Sequence, residues 1–547
     1  MESEPLPCKA QILIDKEIHQ LRESIRLLHY KRNQYALITK LQPEILSRIF
    51  TYVEWAHQQE DYQSKRHYNF SFVSQDWREI AISTPEVWAT LPKHPPEWCR
   101  TVLERSKASD LTIRVCLHYP HRANDLQEIL AEHAARLFDL SISSFDSTMI
   151  HEVQLFLNAL PTSAPRLRNL RLVFNVPLTL PMGSFSDTRL SNLVIQKCRI
   201  VWKSSLFTGL TDLTIINNPC SGPLVDFFDA LTRMPGLRKL VLIESIPSGS
   251  PPPLIQPISL FSLEELYISG DMYDLEKVLK YLSVLVSTMV KIECTSWSRI
   301  GGDSRPFEQI MAAFTGSISH FFALMRSNAG NEVPFYETLS LYPGASHRML
   351  IRTWGNNWIR SGAPFTETGD EKPHFTFLAP FENTLATRIA AALPLSHLKT
   401  LMLMLKSDCS SLIRTFGHLQ RLETIIFNGS SEVIKALRCI KAPPNKPDYR
   451  DRLPFLGLEN LLMRDVLFEE YRRVDHITVD SLMDCLMERS EYGAPIQKLF
   501  IYHSWEIYPR DIEMLEEIVV DVAWDGYEEE YAPVDGGSDY LSSNTSD

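Results

Sequence analysis

The 547-residue chain is too long for one ordinary domain of ~100–200 residues, which leaves several domains or one extended repeat array. At 44% hydrophobic and 22% charged residues, its composition is that of a soluble globular protein and excludes wholesale disorder or collagen-like structure. The formal charge of −12 disfavours a surface that coats nucleic acid. All of that charge lies at one end. No Lys or Arg follows Arg510, whereas Asp511, Glu513, Glu516, Glu517, Asp521, Asp525, Glu528, Glu529, Glu530, Asp535, Asp539 and Asp547 do, so the first 510 residues are formally neutral.

The cysteines (Cys8, Cys99, Cys116, Cys198, Cys220, Cys294, Cys409, Cys439 and Cys485) are scattered and odd in number, and they never take the paired spacing of a zinc ribbon or redox motif. They read as thiols in a reducing compartment. The first residues are acidic where a signal peptide would be basic, and no run of about eighteen apolar residues occurs. The expectation is a cytoplasmic or nuclear protein with no membrane span.

In chain order, residues 1–11 are expected to be disordered and 12–38 to form a helix. There Ile14, Ile18, Leu21, Ile25 and Leu28 step by four, three, four and three, an a/d seam about two heptads long. Such a seam either packs on its own protein or joins two copies through residues 14–28. Next comes LQPEILSRIFTYV, where Leu41, Ile45, Leu46, Ile49, Phe50 and Val53 populate one broad helical face. Pro43 suits the first helical turn and Glu44 complements the positive end of the helix dipole. Further on, Phe72, Val73, Trp77, Ile80 and Ala81 keep helical spacing. Thr84 reads as an N-cap before Pro85, opening a helix that carries Val87, Trp88 and Leu91.

These three blocks, Leu41-x-Pro43-Glu44-Ile45-Leu46-x-x-Ile49-Phe50, Val73-Ser74-x-x-Trp77-Arg78-x-Ile80-Ala81 and Thr84-Pro85-x-x-Trp88, resemble the F-box, especially the variant common in large fungal F-box families. The resemblance covers residues 41 to 91 within an expected domain at 39–92. It implies a three-helix unit docking on a Skp-family adaptor that is held in turn by a cullin. The implied adaptor contacts are Leu41, Pro43, Ile45, Leu46, Ile49, Phe50, Val73, Trp77 and Trp88, some of which must instead hold the helices together. Two features depart from the family. Gln42 stands where proline is usual, and Glu54 to Asn69 is a longer, more polar connection.

After a connector at 93–130, the template L-x-x-L-x-L recurs over 131–522. It begins at Leu137, Leu167, Leu190, Leu210, Leu237 and Leu263, then at Leu398, Leu422, Leu458 and Ile496. From Leu167 the steps of 23, 20, 27 and 26 residues cluster where leucine-rich repeats lie. The ninth template position holds Asn175, Cys198, Asn218, Ser245 and Asp271, small side chains suited to backbone groups turning out of a strand. The sequence thus resembles an irregular leucine-rich-repeat solenoid, with an insertion near 345–390, a closing strand around Ile518 to Val522 and an acidic disordered tail at 523–547. The expected fold class is α+β: helical units followed by an α/β solenoid.

No phosphate loop, dinucleotide fingerprint, zinc-protease helix, nucleophile elbow or calcium loop is present. His118 and His121 flank Pro120 with no further ligand to complete a tetrahedral set, so no metal site is expected. His57 and His67 read as loop residues. No catalytic residue or cofactor is expected. The implied function is a non-catalytic substrate receptor of a cullin-type ubiquitin ligase with an unidentified client protein. The alternatives are an interaction scaffold capped by an F-box-like unit and, less favoured, an enzyme within 300–400.

Overall fold

The computed structural model describes residues 9–59, 69–91, 96–117, 120–218, 222–247, 256–296, 306–328, 336–344, 347–355, 372–381, 385–438, 453–468 and 477–527. Residues 1–8, most of the polar connection after Glu54, His67, His118, three cysteines (Cys8, Cys220 and Cys439), the middle of the expected insertion and the tail from 528 lie outside them. The chain forms two compact units, Met1–Thr208 and Gly209–Asp547.

The first unit opens with helix α1 (Lys9–Gln34), which starts three residues before the expected boundary of 12. It continues through α2 (Pro43–Gln59), α3 (Gln75–Ser83), α4 (Pro96–Ser106), strand β1 (Leu111–Cys116), α5 (Pro120–His133), β2 (Leu137–Ser144), α6 (Ile150–Asn158), β3 (Asn169–Thr179) and β4 (Asn192–Arg199). These strands lie side by side in chain order and pair in parallel. The expected connector at 93–130 is therefore not one, because β1 is the first strand of the sheet. Leu111 and Ile113 are buried and pair with Leu137 and Leu140 of β2, but they stand two residues apart where the template wants three, and that irregularity hid the strand.

The second unit contains β5 (Asp212–Ile216), α7 (Leu224–Thr232), β6 (Lys239–Ile243), β7 (Ile258–Leu260), β8 (Glu265–Asp271), α8 (Met272–Leu279), β9 (Leu282–Val284), β10 (Met289–Ser296), α9 (Phe307–Asn328), β11 (Thr338–Gly344), β12 (Arg348–Trp354), β13 (Phe375–Pro380), α10 (Leu385–Ala391), β14 (Thr400–Leu403), α11 (Cys409–Phe416), β15 (Thr424–Asn428), α12 (Ser431–Arg438), β16 (Asn460–Arg464), α13 (Val479–Glu491), β17 (Lys498–Tyr502), α14 (Pro509–Glu516) and β18 (Asp521–Trp524). Its main sheet is open, in the order β5-β6-β8-β10-β13-β12-β11-β14-β15-β16-β17-β18, and every pairing is parallel except the two made by β12. Helices α8 to α13 pack each against the next.

All ten template hexads supply strands, and their apolar positions fall in lateral rows. Leu140, Leu170 and Leu193 are aligned in the first unit. In the second, Leu213, Leu240, Leu266 and Val290 form one row, and Leu401, Ile425, Leu461 and Leu499 another. Every one of these side chains is buried. Because side chains alternate across a strand, a slip of one residue would turn a whole row outward, so burial fixes the register.

The exits from the strands explain the polar ninth position. The eighth template residue takes the left-handed conformation at Lys197, Asn217, Glu244, Gly429, Asp465 and His503, which swings the chain out of the sheet. Amide groups exposed by that turn then need acceptors. Asn218 N–H donates to Ser245 Oγ at 3.1 Å, and Ser245 Oγ donates to Ile243 O at 2.7 Å. Val466 N–H and Ser504 Oγ repeat the arrangement one repeat apart. Asp271 instead caps α8, accepting from Asp274 N–H at 2.7 Å. Burial pushes the Cys198 thiol up to about 12, so it serves as packing.

Two further expectations change. The insertion near 345–390 contains β12, β13 and the start of α10, and the sheet continues through it. β13 lies beside β10 and β11 beside β14, with antiparallel β12 filling the gap. Tyr336, buried where the template has leucine, masked the Leu339/Leu341 strand. The tail expected from 523 begins as strand, since β18 pairs Val522 with Leu499 and Trp524 with Ile501.

Two side chains in the second unit give direct tests. The Arg489 guanidinium is fully buried and donates to the carbonyls of Phe455 (2.8 Å), Pro454 (3.2 Å) and Leu437 (3.5 Å). Leaving such acceptors unsatisfied costs about 1–3 kcal/mol, so Arg489→Met is expected to lose at least that much in urea unfolding; an unchanged midpoint would contradict the clamp. Asp408 caps α11. Its hydrogen bonds from the Ser410 hydroxyl (2.6 Å) and the Ser411 N–H (2.9 Å) pull its carboxyl down to about 2. A lowered carboxyl pKa stabilises the fold above the unfolded value of 3.8, and that stabilisation disappears as pH falls toward 2. Asp408→Ala is expected to cost about 1 kcal/mol at neutral pH, with the gap to the parent closing between roughly pH 4 and 2.

Candidate adaptor-docking face and exposed strand face

Helix α2 starts at Pro43, with the Ile45 and Leu46 amides donating to Gln42 O at 3.0 and 3.1 Å. Gln42 thus supplies the first carbonyl acceptor of the helix. At 3.6 residues per turn, residues four apart form a stripe, and stripes one residue apart point about 100° from each other. Leu46 and Phe50, 3% and 1% exposed, define the inner stripe; Ile45 and Ile49 beside them are 42% and 36% exposed.

The inner stripe belongs to a core of Leu46, Phe50, Phe70, Ala81, Val87, Trp88 and Val102, against which Trp77, Ile80 and Trp98 also pack. Phe50 stacks on Phe70 with ring centroids 4.7 Å apart and meets Trp77 at 5.2 Å. Trp88 donates its indole N–H to Ala81 O at 2.7 Å, and the Arg105 guanidinium lies 4.4 Å over its ring. Ser74 caps α3 by accepting from Trp77 N–H at 3.1 Å. Thr84 holds the expected N-cap position before Pro85, but its hydroxyl makes no capping bond and donates back to Ile80 O at 2.8 Å instead. Pro85–Trp88 is a single 3-10 turn, after which Leu91 N–H donates to Thr112 O and the chain joins the edge of β1.

The nine residues implicated by the resemblance therefore separate into two groups. Leu46, Phe50 and Trp88 are buried and Trp77 is half-buried, so these four hold the helices together. Leu41, Pro43, Ile45, Ile49 and Val73 are exposed. Val53 continues the outer stripe, and Tyr52 and Phe72, 71% and 69% exposed, are aromatic side chains on the same surface elements that the sequence reading left out of the site. Tyr52 was legible, because it stands seven residues after Ile45 and three after Ile49.

The second unit carries a different kind of surface. Residues between the buried rows face away from the core, and on β8, β10 and β12 they form a polar cluster. The Tyr267 hydroxyl donates to Glu293, Arg348 Nη1 donates to Glu293 Oε1 at 2.7 Å, and the Lys291 ammonium sits 4.1 Å over the Tyr267 ring. Although desolvation raises it, the Glu293 carboxyl is held below the ordinary range by Tyr267, Arg348 and Lys291. Toward β17 the same face turns apolar, with Met402, Ile426 and Leu462 buried beside Met404, Phe500 and Tyr502.

No helix among the described residues is long and apolar enough to cross a membrane, and no cluster of three or more His, Cys, Asp or Glu side chains able to hold a metal occurs among them. Phe50→Ala is expected to destabilise the first unit by about 3–5 kcal/mol, whereas Ile45→Asp with Ile49→Asp should change it by no more than about 0.5 kcal/mol per site. Chemical denaturation of the two variants compares the stripes, and equal losses would contradict the division between them. No family model matches the chain, and no curated protein matches it.

Proposed function

We propose that the chain is the client-binding receptor of a cullin-type ubiquitin ligase, docking on a Skp-family adaptor through the outer stripe of α2. One observation carries the proposal: Ile45, Ile49 and Val53 stay exposed on a helix whose neighbouring stripe is already filled by its own core, and Leu41 is exposed just before it. A self-contained helical cap would have no use for this apolar surface. Full burial of such side chains is worth about 1.5–3 kcal/mol each, the same order in sum as the ~4–15 kcal/mol of lost rotational and translational freedom on association. Helix-in-groove recognition has this form.

Catalysis would then be by proximity. Holding adaptor and client together raises the effective concentration of a client lysine near the ubiquitin-charged enzyme, with no reacting group supplied by this chain. The outward strand face of the second unit is the proposed client surface, with the Tyr267–Glu293–Arg348 cluster as its polar anchor and alternation between charged and apolar rows as its source of selectivity.

Titration of the full chain with a Skp-family adaptor is expected to give micromolar or tighter binding, weakened at least ~100-fold by Ile45→Asp with Ile49→Asp while thermal unfolding is unchanged. A folded parent chain that does not bind the adaptor, or a double variant that binds as well as the parent, would overturn the assignment.

A further inference from the structure

Helix α1 runs for 26 residues without one buried side chain. Ile14, Ile18, Leu21, Ile25 and Leu28 are between 39% and 65% exposed along a single stripe. In heptad terms Ile18 and Ile25 fall at a, and Ile14, Leu21 and Leu28 at d. β-Branched residues at a with leucine at d favour two parallel strands. The seam is bounded by Gln11 and Arg32 at the flanking a positions, so it spans about 21 Å from Ile14 to Leu28.

The charges beside the seam choose the occupant. Glu17 falls at g and Arg22 at e, positions that face one another across a parallel pair of identical helices. Neither is paired among the described residues, whereas Arg26 on the outer surface is already bonded to Glu23 at 2.9 Å. Two copies side by side would thus form two symmetric Glu17–Arg22 pairs with no like charges opposed. The antiparallel alignment that keeps the same layers sets the two Arg22 side chains against each other.

We propose that α1 pairs with α1 of a second copy in a parallel two-stranded coiled coil. The two copies of α2 then follow from the same end of the coil. The pairing is independent of the adaptor face, because α1 shares no residue with the α2 stripe.

Sedimentation equilibrium of the full chain tests this. A concentration-dependent dimer is expected. Ile18→Asp with Ile25→Asp should make it monomeric, weakening association at least ~100-fold without moving the thermal unfolding of the rest of the chain. Glu17→Arg alone should weaken it about tenfold by opposing two arginines, and adding Arg22→Glu should restore the parental constant. The proposal is overturned by a parent that stays monomeric at every concentration, including one whose α1 captures a different helical protein. A dimer that survives Ile18→Asp with Ile25→Asp, or a double charge swap that fails to restore association, overturns it equally.

Discussion

The strands of the main array run from 4 to 11 residues and each presents only a few apolar side chains to one side, too little to remain folded by itself. A strand's row becomes buried only because a neighbour ~4.8 Å away carries a matching row in register. The Leu401, Ile425, Leu461 and Leu499 alignment is one instance of that constraint. Much else follows from it. At several strand starts one carbonyl accepts two successive amides from the next repeat, as Thr211 O does from Arg238 and Lys239 and Lys399 O from Glu423 and Thr424, which locks the starting register. The left-handed residue at the exit lets the chain leave without disturbing the row, and the small polar residue after it satisfies the amides thereby exposed. Even the reversed strand β12 keeps the pattern, setting Ile351 between Leu341 and Phe377.

That regularity made the array legible. A large apolar residue at the fourth and sixth template positions is the physical requirement, and where leucine or isoleucine also stands first, ten hexads identified ten strands. What escaped were strands that meet the requirement with other residues. Tyr336 fills the lead position of β11 as well as leucine does, β1 sets its lead Leu111 one residue closer than the template, and β10 has Ser287 at that position. The antiparallel excursion was illegible for a different reason. Strand direction depends on which neighbour a strand finds, and no local spacing in 345–390 encodes that choice.

In the helical unit, sequence identified the face but not its division. Leu46 and Ile45 are adjacent, both apolar and both within the expected motif, yet one is sealed against Phe50 and Trp88 and the other is open. Separating them needs the position of Phe70 and Val102, which approach α2 from outside the motif helices. The division has a functional meaning under the proposed assignment. Stability and docking reside on stripes about 100° apart, so the docking residues are free to suit a partner without loosening the core.

The two exposed apolar surfaces of the first unit differ in form. The seam of α1 is narrow, spaced by heptads and flanked by charges that complement a copy of itself. The surface of α2 is broader and carries the aromatic Tyr52, and it is not spaced by heptads. Amide hydrogen exchange of the full chain, with and without a Skp-family adaptor, tests the central claim most directly. The account predicts that protection rises along residues 41–53 and around Val73, while the strands of the second unit are unchanged. Unaltered exchange over 41–53 with a saturating adaptor, or protection confined to the strand array, would contradict it.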